Sequence, residues 1–135
     1  MDQADSAGAE AVAVYFLQLF PYVGATGDLA EWRELSHPEC IYCASVTSGI
    51  EDVFAAGHHS EGGLVSISSV VSAEVDPGRW WSVDVELVQS PSVTVDGAGN
   101  VVEDFPDTKA FHMDIAVVHE AGHWVVRELS HTVTG

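Results

Sequence analysis

The sequence predicts an α+β domain in which three N-terminal helices pack on one face of a mostly antiparallel four-stranded sheet. Three observations predict it. Apolar residues recur at helical spacing as far as about Ala56. From Leu64 the apolar period changes to two. Turn signals at Asp76-Pro77-Gly78, Asp96–Asn100 and Glu120-Ala121-Gly122 then divide the second half into strands.

The first helix starts near an N-cap at Ser6 and carries Ala9, Val12, Phe16, Leu19, Phe20 and Val23 on its apolar stripe. Pro21 bends it or ends its regular part, and Gly24 and Gly27 close it. A short second helix starts at Asp28, with Leu29, Trp32 and Leu35 apolar, and breaks at Ser36-His37-Pro38. Pro38 opens the third helix, whose stripe is Ile41, Tyr42, Val46, Ile50, Val53 and Phe54. Residues 58–63 read as a loop. In the first strand Val65, Ile67, Val71, Ala73 and Val75 share a face, opposite Ser66, Ser68, Ser72 and Glu74. In the second, Trp81, Val83, Val85 and Leu87 alternate with Trp80, Ser82, Asp84 and Glu86, and the pattern allows continuation past Pro91 through Val95. A turn at Asp96–Asn100 leads to a small arm at Val101-Val102. The last two long strands form a hairpin about Glu120-Ala121-Gly122. Residues 1–5 read as a linker remnant or disordered tail, and 6–135 as one domain.

Composition narrows the function classes. A chain of 135 residues, 47% apolar, can bury a core as a single domain. Twenty-one acidic and four basic residues give a net charge of -17, the opposite of what nucleic acid or an anionic lipid surface attracts. The acidity reads first as a solvated, self-repelling surface. No basic n-region opens the chain, so no signal peptide is read in it.

His119-Glu120-Ala121-Gly122-His123 matches the zinc-protease pattern letter for letter. That chemistry needs a helix, which puts both histidines on one face. Here Phe111–Val118 and Trp124–Leu129 flank it with strand-forming residues, so the motif reads as a hairpin turn between two exposed histidines. No metal and no cofactor are expected. Cys40 and Cys43 allow a structural disulfide, inert thiols, a redox pair at a helix start or half of a zinc site; the disulfide is preferred, since no βαβ context for redox chemistry and no second Cys pair for zinc are present. His58-His59 beside Glu61 reads as a solvated loop rather than a weak metal site. Asp96, Asn100, Glu103 and Asp104 read as Asx-type turn chemistry rather than a calcium loop.

The order of elements resembles the nuclear transport factor 2-like (SnoaL-like) superfamily. More closely, Ala25-Thr26-Gly27-Asp28, Leu35–Cys43, Gly62-Gly63 and Gly122–Val126 resemble an actinobacterial lipoprotein family of unknown function. The superfamily likeness implies a cone with a curved sheet and an internal pocket. The closer likeness implies export, with a lipid anchor upstream of this chain holding the domain outside the cell membrane.

On that cone, Tyr15, Phe16, Trp32, Tyr42, Trp81, Phe111 and Trp124 are the expected pocket residues. Strand parity places His112 and Asp114 on the far face and leaves no inward carboxylate or histidine on the sheet, which argues against catalysis. The far face carries Trp80, Ser68, Val70 and Ser72, and Trp80 is the residue expected at a partner or homodimer interface. The function expected is a non-catalytic module binding a small apolar ligand or an envelope protein. The alternative is a general acid–base pocket enzyme (isomerase, dehydratase or cyclase-like) for a small hydrophobic substrate.

Overall fold

The computed structural model describes residues 4–134. Of the tail read at 1–5, residues 1–3 lie outside the described residues, while Asp5 is the N-cap of the first helix. Its carboxylate accepts the Gly8 N–H at 2.7 Å, so the cap sits one residue before Ser6. Helix α1 (Ser6–Thr26) runs on through Pro21. It ends at Gly27, whose φ of 71° lets its N–H close on the Val23 carbonyl at 2.9 Å. Helix α2 (Ala30–Leu35) starts two residues later than expected, because Asp28 stays outside it and accepts the Ala30 N–H. Helix α3 (Ile41–Ala55) starts after Cys40 rather than at Pro38.

Seven strands follow among the described residues, in two antiparallel sheets rather than one. The larger sheet has the order β2 (Val65–Asp76), β3 (Trp80–Gln89), β6 (Lys109–Glu120), β7 (His123–Val133). The smaller has the order β1 (His59–Gly62), β4 (Ser92–Val95), β5 (Val101–Phe105). The expected loop at 58–63 is therefore mostly a short strand, which its polar sequence gives no alternation to reveal. The second strand does not run past Pro91. Proline has no N–H to give a ladder, and the chain changes sheets there.

Bulges reset the faces. Registers shift between Ile67 and Ser69 and between Glu74 and Asp76 on β2. Each extra residue reverses the alternation. Val70 and Ser72 therefore face the helices, and Val71 and Ala73 face outward, the reverse of the expected assignment for this stretch. Val70 packs on the core, and Ser72 donates to Glu10 on α1. A third shift sets two residues of β7 against the Ala116–Val117 step of β6, leaving Arg127 as the extra residue. Beyond it Leu129, His131 and Val133 pair with Ile115, Met113 and Phe111, which puts His131 on the helix-facing side. The expectation of no inward histidine is thereby corrected.

The core lies between α1 and the larger sheet. Ala9, Val12, Ala13 and Phe16 meet Trp81, Val83, Val85, Ile115, Val117 and Val126, all fully buried. The hairpin at the zinc-protease-like motif turns through Ala121 (φ 51°) and Gly122 (φ 79°), both left-handed, as a two-residue primed turn requires. His119 stacks edge-on against Trp124, and Glu120 pairs with Arg79 at 3.3 Å. Among the described residues no cluster of three or more His, Cys, Asp or Glu is placed to hold a metal.

Candidate functional site

Helix α3 fully buries only Cys43. Its apolar stripe, Tyr42, Val46, Ile50 and Val53, is only half-buried: Tyr42, Val46 and Ile50 pack against the edge of the core, and the stripe borders open space. That space has two compartments. The inner one is a cavity of about 110 Å³. Leu17 and Phe20 of α1, Trp32 of α2 and Tyr42 of α3 roof it. Its floor is Val65, Leu87, Phe111, Met113 and Leu129 from all four strands of the larger sheet, with Gln89 and His131 as polar groups. The outer one is a groove of about 430 Å³ between α3 and the smaller sheet. Ser60, Ser90, Ser92 and Thr94 line it, with Glu103, Asp107 and Lys109 around it. Phe20, Gln89 and Phe111 line both, so the two share a wall. Together they fall within the roughly 300–1,000 Å³ of small-molecule sites, whereas the inner cavity alone does not.

Of the expected pocket residues, Trp32, Tyr42 and Phe111 line the inner cavity. Phe16 lies behind it, fully buried and stacked on Trp32 at 3.9 Å. Trp81 and Trp124 pack together at 5.1 Å near the hairpin end of the sheet. Trp81 is six residues, or about 20 Å, from Leu87 along β3, so these indoles fill the core elsewhere. Tyr15 is two residues from Leu17, about 200° around the helix. It faces the flank of α1, where its hydroxyl donates to Glu31, and that hydrogen bond raises its pKa.

The wall's polar groups are few. Burial raises the pKa of the Tyr42 hydroxyl. The Tyr42 and Phe111 rings both meet the His131 imidazole edge-on, at 5.7 and 5.6 Å. Gln89, Lys109 and His131 went unrecognised in the sequence. Only the solitary lysine of the chain carried a signal.

The cysteine pair anchors the roof. Cys40 and Cys43 form a disulfide, both residues 1% exposed. The Cys43 carbonyl accepts the Trp32 indole N–H at 3.2 Å, tying α2 to α3. Glu128 on β7 holds the same turn, its carboxylate accepting the Ile41 N–H at 3.0 Å and the Tyr42 N–H at 3.3 Å. Desolvation pushes its pKa up, but hydrogen bonds from Ile41, Leu129 and Tyr42 outweigh this and leave it lowered. A depressed carboxylate contributes stability above its ordinary value of 4.5 and loses it as pH falls through the folded value. Glu128→Gln is expected to cost about 1–2 kcal/mol at neutral pH. Urea titrations at neutral and acidic pH check this, since the gap from wild type should shrink below 4.5.

The other expected sites lie apart. On the outer sheet face His112 bonds Glu86 at 2.6 Å and Asp84 at 3.1 Å, and those two bonds raise its pKa. Trp80 is half-buried on that face, directly across from Val118, with the Arg79 guanidinium 6.0 Å above its ring. His59 pairs with Glu61 at 3.0 Å on β1. Asp96 closes an Asx-type turn by accepting the Ala98 and Asn100 N–H groups, both at 2.9 Å; Glu103, by contrast, belongs to the groove.

A family model described as a family of unknown function, DUF6318, matches residues 1–130. No curated protein matches the chain. Several solved structures share the fold. One is the intermembrane space region of the chloroplast protein ARC6 (TM-score 0.72, 12% identity, 96% of this chain and 98% of that one). Another is an uncharacterised Caulobacter vibrioides protein with a cystatin-like fold (0.58, 13%, 95% and 91%). A third is a candidate aromatic ring hydroxylase from Novosphingobium aromaticivorans (0.59, 10%, 96% and 96%). At these identities the likeness is one of fold, and function has to be argued from the site.

Proposed function

The chain belongs to DUF6318, a family of unknown function, and from its own geometry we propose that it is a binding domain for a small apolar ligand. The observation that carries this is the unfilled space under α3. Leaving the inner cavity of about 110 Å³ unfilled forgoes packing that would stabilise the fold, at about 24 cal/mol per Å³ of cavity. A wall of Leu, Phe, Trp and Met with few polar groups suits an apolar ring or short chain.

The domain would work outside the cytoplasm, on a lipid anchor upstream of this chain. The Cys40–Cys43 disulfide supports that setting, since such bonds persist in oxidising compartments. The actinobacterial lipoprotein assignment rests on the resemblance of Thr26-Gly27-Asp28 and Leu35–Cys43, and the nuclear transport factor 2-like cone on the order of elements. No helix among the described residues is long and apolar enough to cross a membrane. Trp80 would serve any pairing of two copies, or docking of an envelope protein, on the outer sheet face.

The neutral apolar dye N-phenylnaphthylamine tests the binding reading. Its fluorescence should rise on binding to wild type. Val65→Trp, which places an indole in the cavity from a half-buried position, should weaken binding about tenfold without lowering the melting temperature. Binding unchanged by Val65→Trp would refute the assignment of the cavity.

A second reading, general acid–base catalysis, is favoured by one observation: the Tyr42 hydroxyl and His131 imidazole share the apolar wall. His131 would take a proton and Tyr42 would donate one. Kemp elimination of nitrobenzisoxazole, an aromatic probe that needs only a base beside an apolar surface, checks it. Turnover lost in both His131→Ala and Tyr42→Phe supports catalysis; no turnover above the buffer rate leaves binding alone.

A further inference from the structure

We propose that the ligand is an apolar acid, with its hydrocarbon part in the inner cavity and its carboxylate on Lys109 at the groove. The inference rests on the binding reading above and adds the head group to it.

The chain has four Lys and Arg residues against twenty-one acids. Arg33 pairs with Glu51 at 2.8 Å, Arg79 with Asp76 at 2.8 Å and Glu120 at 3.3 Å, and Arg127 with Glu39 at 3.5 Å. Lys109 is the remaining cation, and it forms no ion pair among the described residues. It is thus the one Lys or Arg among the described residues left without a carboxylate partner, and it borders the groove.

Its position on the sheet is graded. Lys109 lies directly across from Gln89 on β3, and the next pair on the same face is Phe111 with Leu87. Met113 and Val85 follow. Side chains of one face advance by about 6.6 Å per two residues. Along β3 and β6 the floor thus passes from a cation and an amide to apolar side chains over one such step, the dimension of a carboxylate joined to a chain or ring; His131 of β7, beside Met113, is the polar group beyond it. The Gln89 amide donates to the Gly63 carbonyl at 3.3 Å, which fixes it at the junction of the two compartments.

Two groups oppose an anion. Glu103 lines the groove from β5, on the other sheet, and Asp107 lies on the connection leading to β6. The net charge of -17 also repels an acid at a distance. Screening confines the repulsion by the net charge to about 8 Å at physiological ionic strength, whereas Glu103 and Asp107 line the same groove and act at short range; the direct charge-assisted hydrogen bond to Lys109 is what opposes them once the acid is seated.

The test uses three amphiphiles that share one chain, decanoate, decanol and decyltrimethylammonium, each displacing N-phenylnaphthylamine from the whole chain below its micelle concentration. Decanoate should displace the dye at about tenfold lower concentration than decanol, equivalent to about 1.4 kcal/mol. The cation should be weakest. Lys109→Met should bring decanoate to the level of decanol and leave decanol unchanged. Because Lys109 is exposed, this variant should fold, and its unchanged decanol binding confirms that. Equal displacement by decanol and decanoate, a preference for the cation, or a decanoate preference that survives Lys109→Met would each overturn the head-group assignment while leaving apolar binding intact. No displacement of a bound dye by any of the three would overturn this inference alone, whereas a dye that fails to bind wild type would remove the binding reading and this inference with it.

Discussion

Trp32→Ala is expected to lose about 3–5 kcal/mol of stability, the range for truncating a buried aromatic. Trp32 is 1% exposed, stacked on Phe16 at 3.9 Å and edge-on to Phe20 at 6.3 Å. Removing the indole opens a void between α1 and α2. It also removes the indole N–H that bonds the Cys43 carbonyl, at the turn where α3 is anchored. The neighbouring disulfide supplies little compensation, because closing so short a loop contributes only about 2 kcal/mol on the chain-entropy account. Trp32→Phe separates the two contributions. It keeps a ring on Phe16 and loses the hydrogen bond, so it should cost about 1–2 kcal/mol. Chemical denaturation of both variants reads the difference. If the two cost the same, the indole N–H dominates; a Trp32→Ala loss below about 1.5 kcal/mol would contradict the buried position itself.

The residues that were legible in the sequence explain why others were not. The helical stripes of α1 and α3 keep one period over many residues, so their existence was readable even where Asp5 rather than Ser6 turned out to cap α1. β3 was readable because Trp81, Val83, Val85 and Leu87 alternate without interruption. β2 was readable as a strand but not as two faces. Nothing marks Ser68 or Val75 as extra residues, and each one swaps the faces of the residues after it. His131 was lost in the same way, since Arg127 looks like an ordinary outward residue until its register with β6 is known. The smaller sheet went unseen because β1 is His-Ser-Glu-Gly and β5 is exposed along its whole length. Trp32, Tyr42 and Phe111 border the inner cavity because large aromatics on apolar stripes lie near the core. Tyr15, Trp81 and Trp124 satisfied that same rule and lie elsewhere, so composition alone does not separate a residue that lines a cavity from one that fills it.

Gly62→Ala is expected to cost about 3 kcal/mol or more, well beyond the usual penalty of a left-handed residue, about 1–2 kcal/mol. Gly62 holds φ at +84° where β1 leaves the smaller sheet. A methyl group there would lie 2.5 Å from the Pro91 carbonyl oxygen and 3.3 Å from the Ser92 Cα. Both neighbours are backbone, so no side chain can turn aside to make room. The Pro91 oxygen is also committed, accepting the Gly63 N–H at 3.0 Å. Gly122→Ala is the matched control. It has nearly the same φ, +79°, but nothing within 4 Å of an added Cβ, so it incurs only the conformational cost. Thermal melts should therefore rank Gly62→Ala clearly below Gly122→Ala. Hydrogen exchange should locate the damage at the Gly63 amide and at the β1–β4 pairs Gly62–Ser92 and Ser60–Thr94. Ser60, Ser92 and Thr94 line the outer groove, so the same strain displaces the wall of the ligand site. Decanoate binding should weaken in Gly62→Ala and stay at wild-type strength in Gly122→Ala, whose turn lies on the larger sheet away from the cavity. Equal melting temperatures for the two glycine variants would mean that β1 and β4 approach less closely than the Pro91 contact requires.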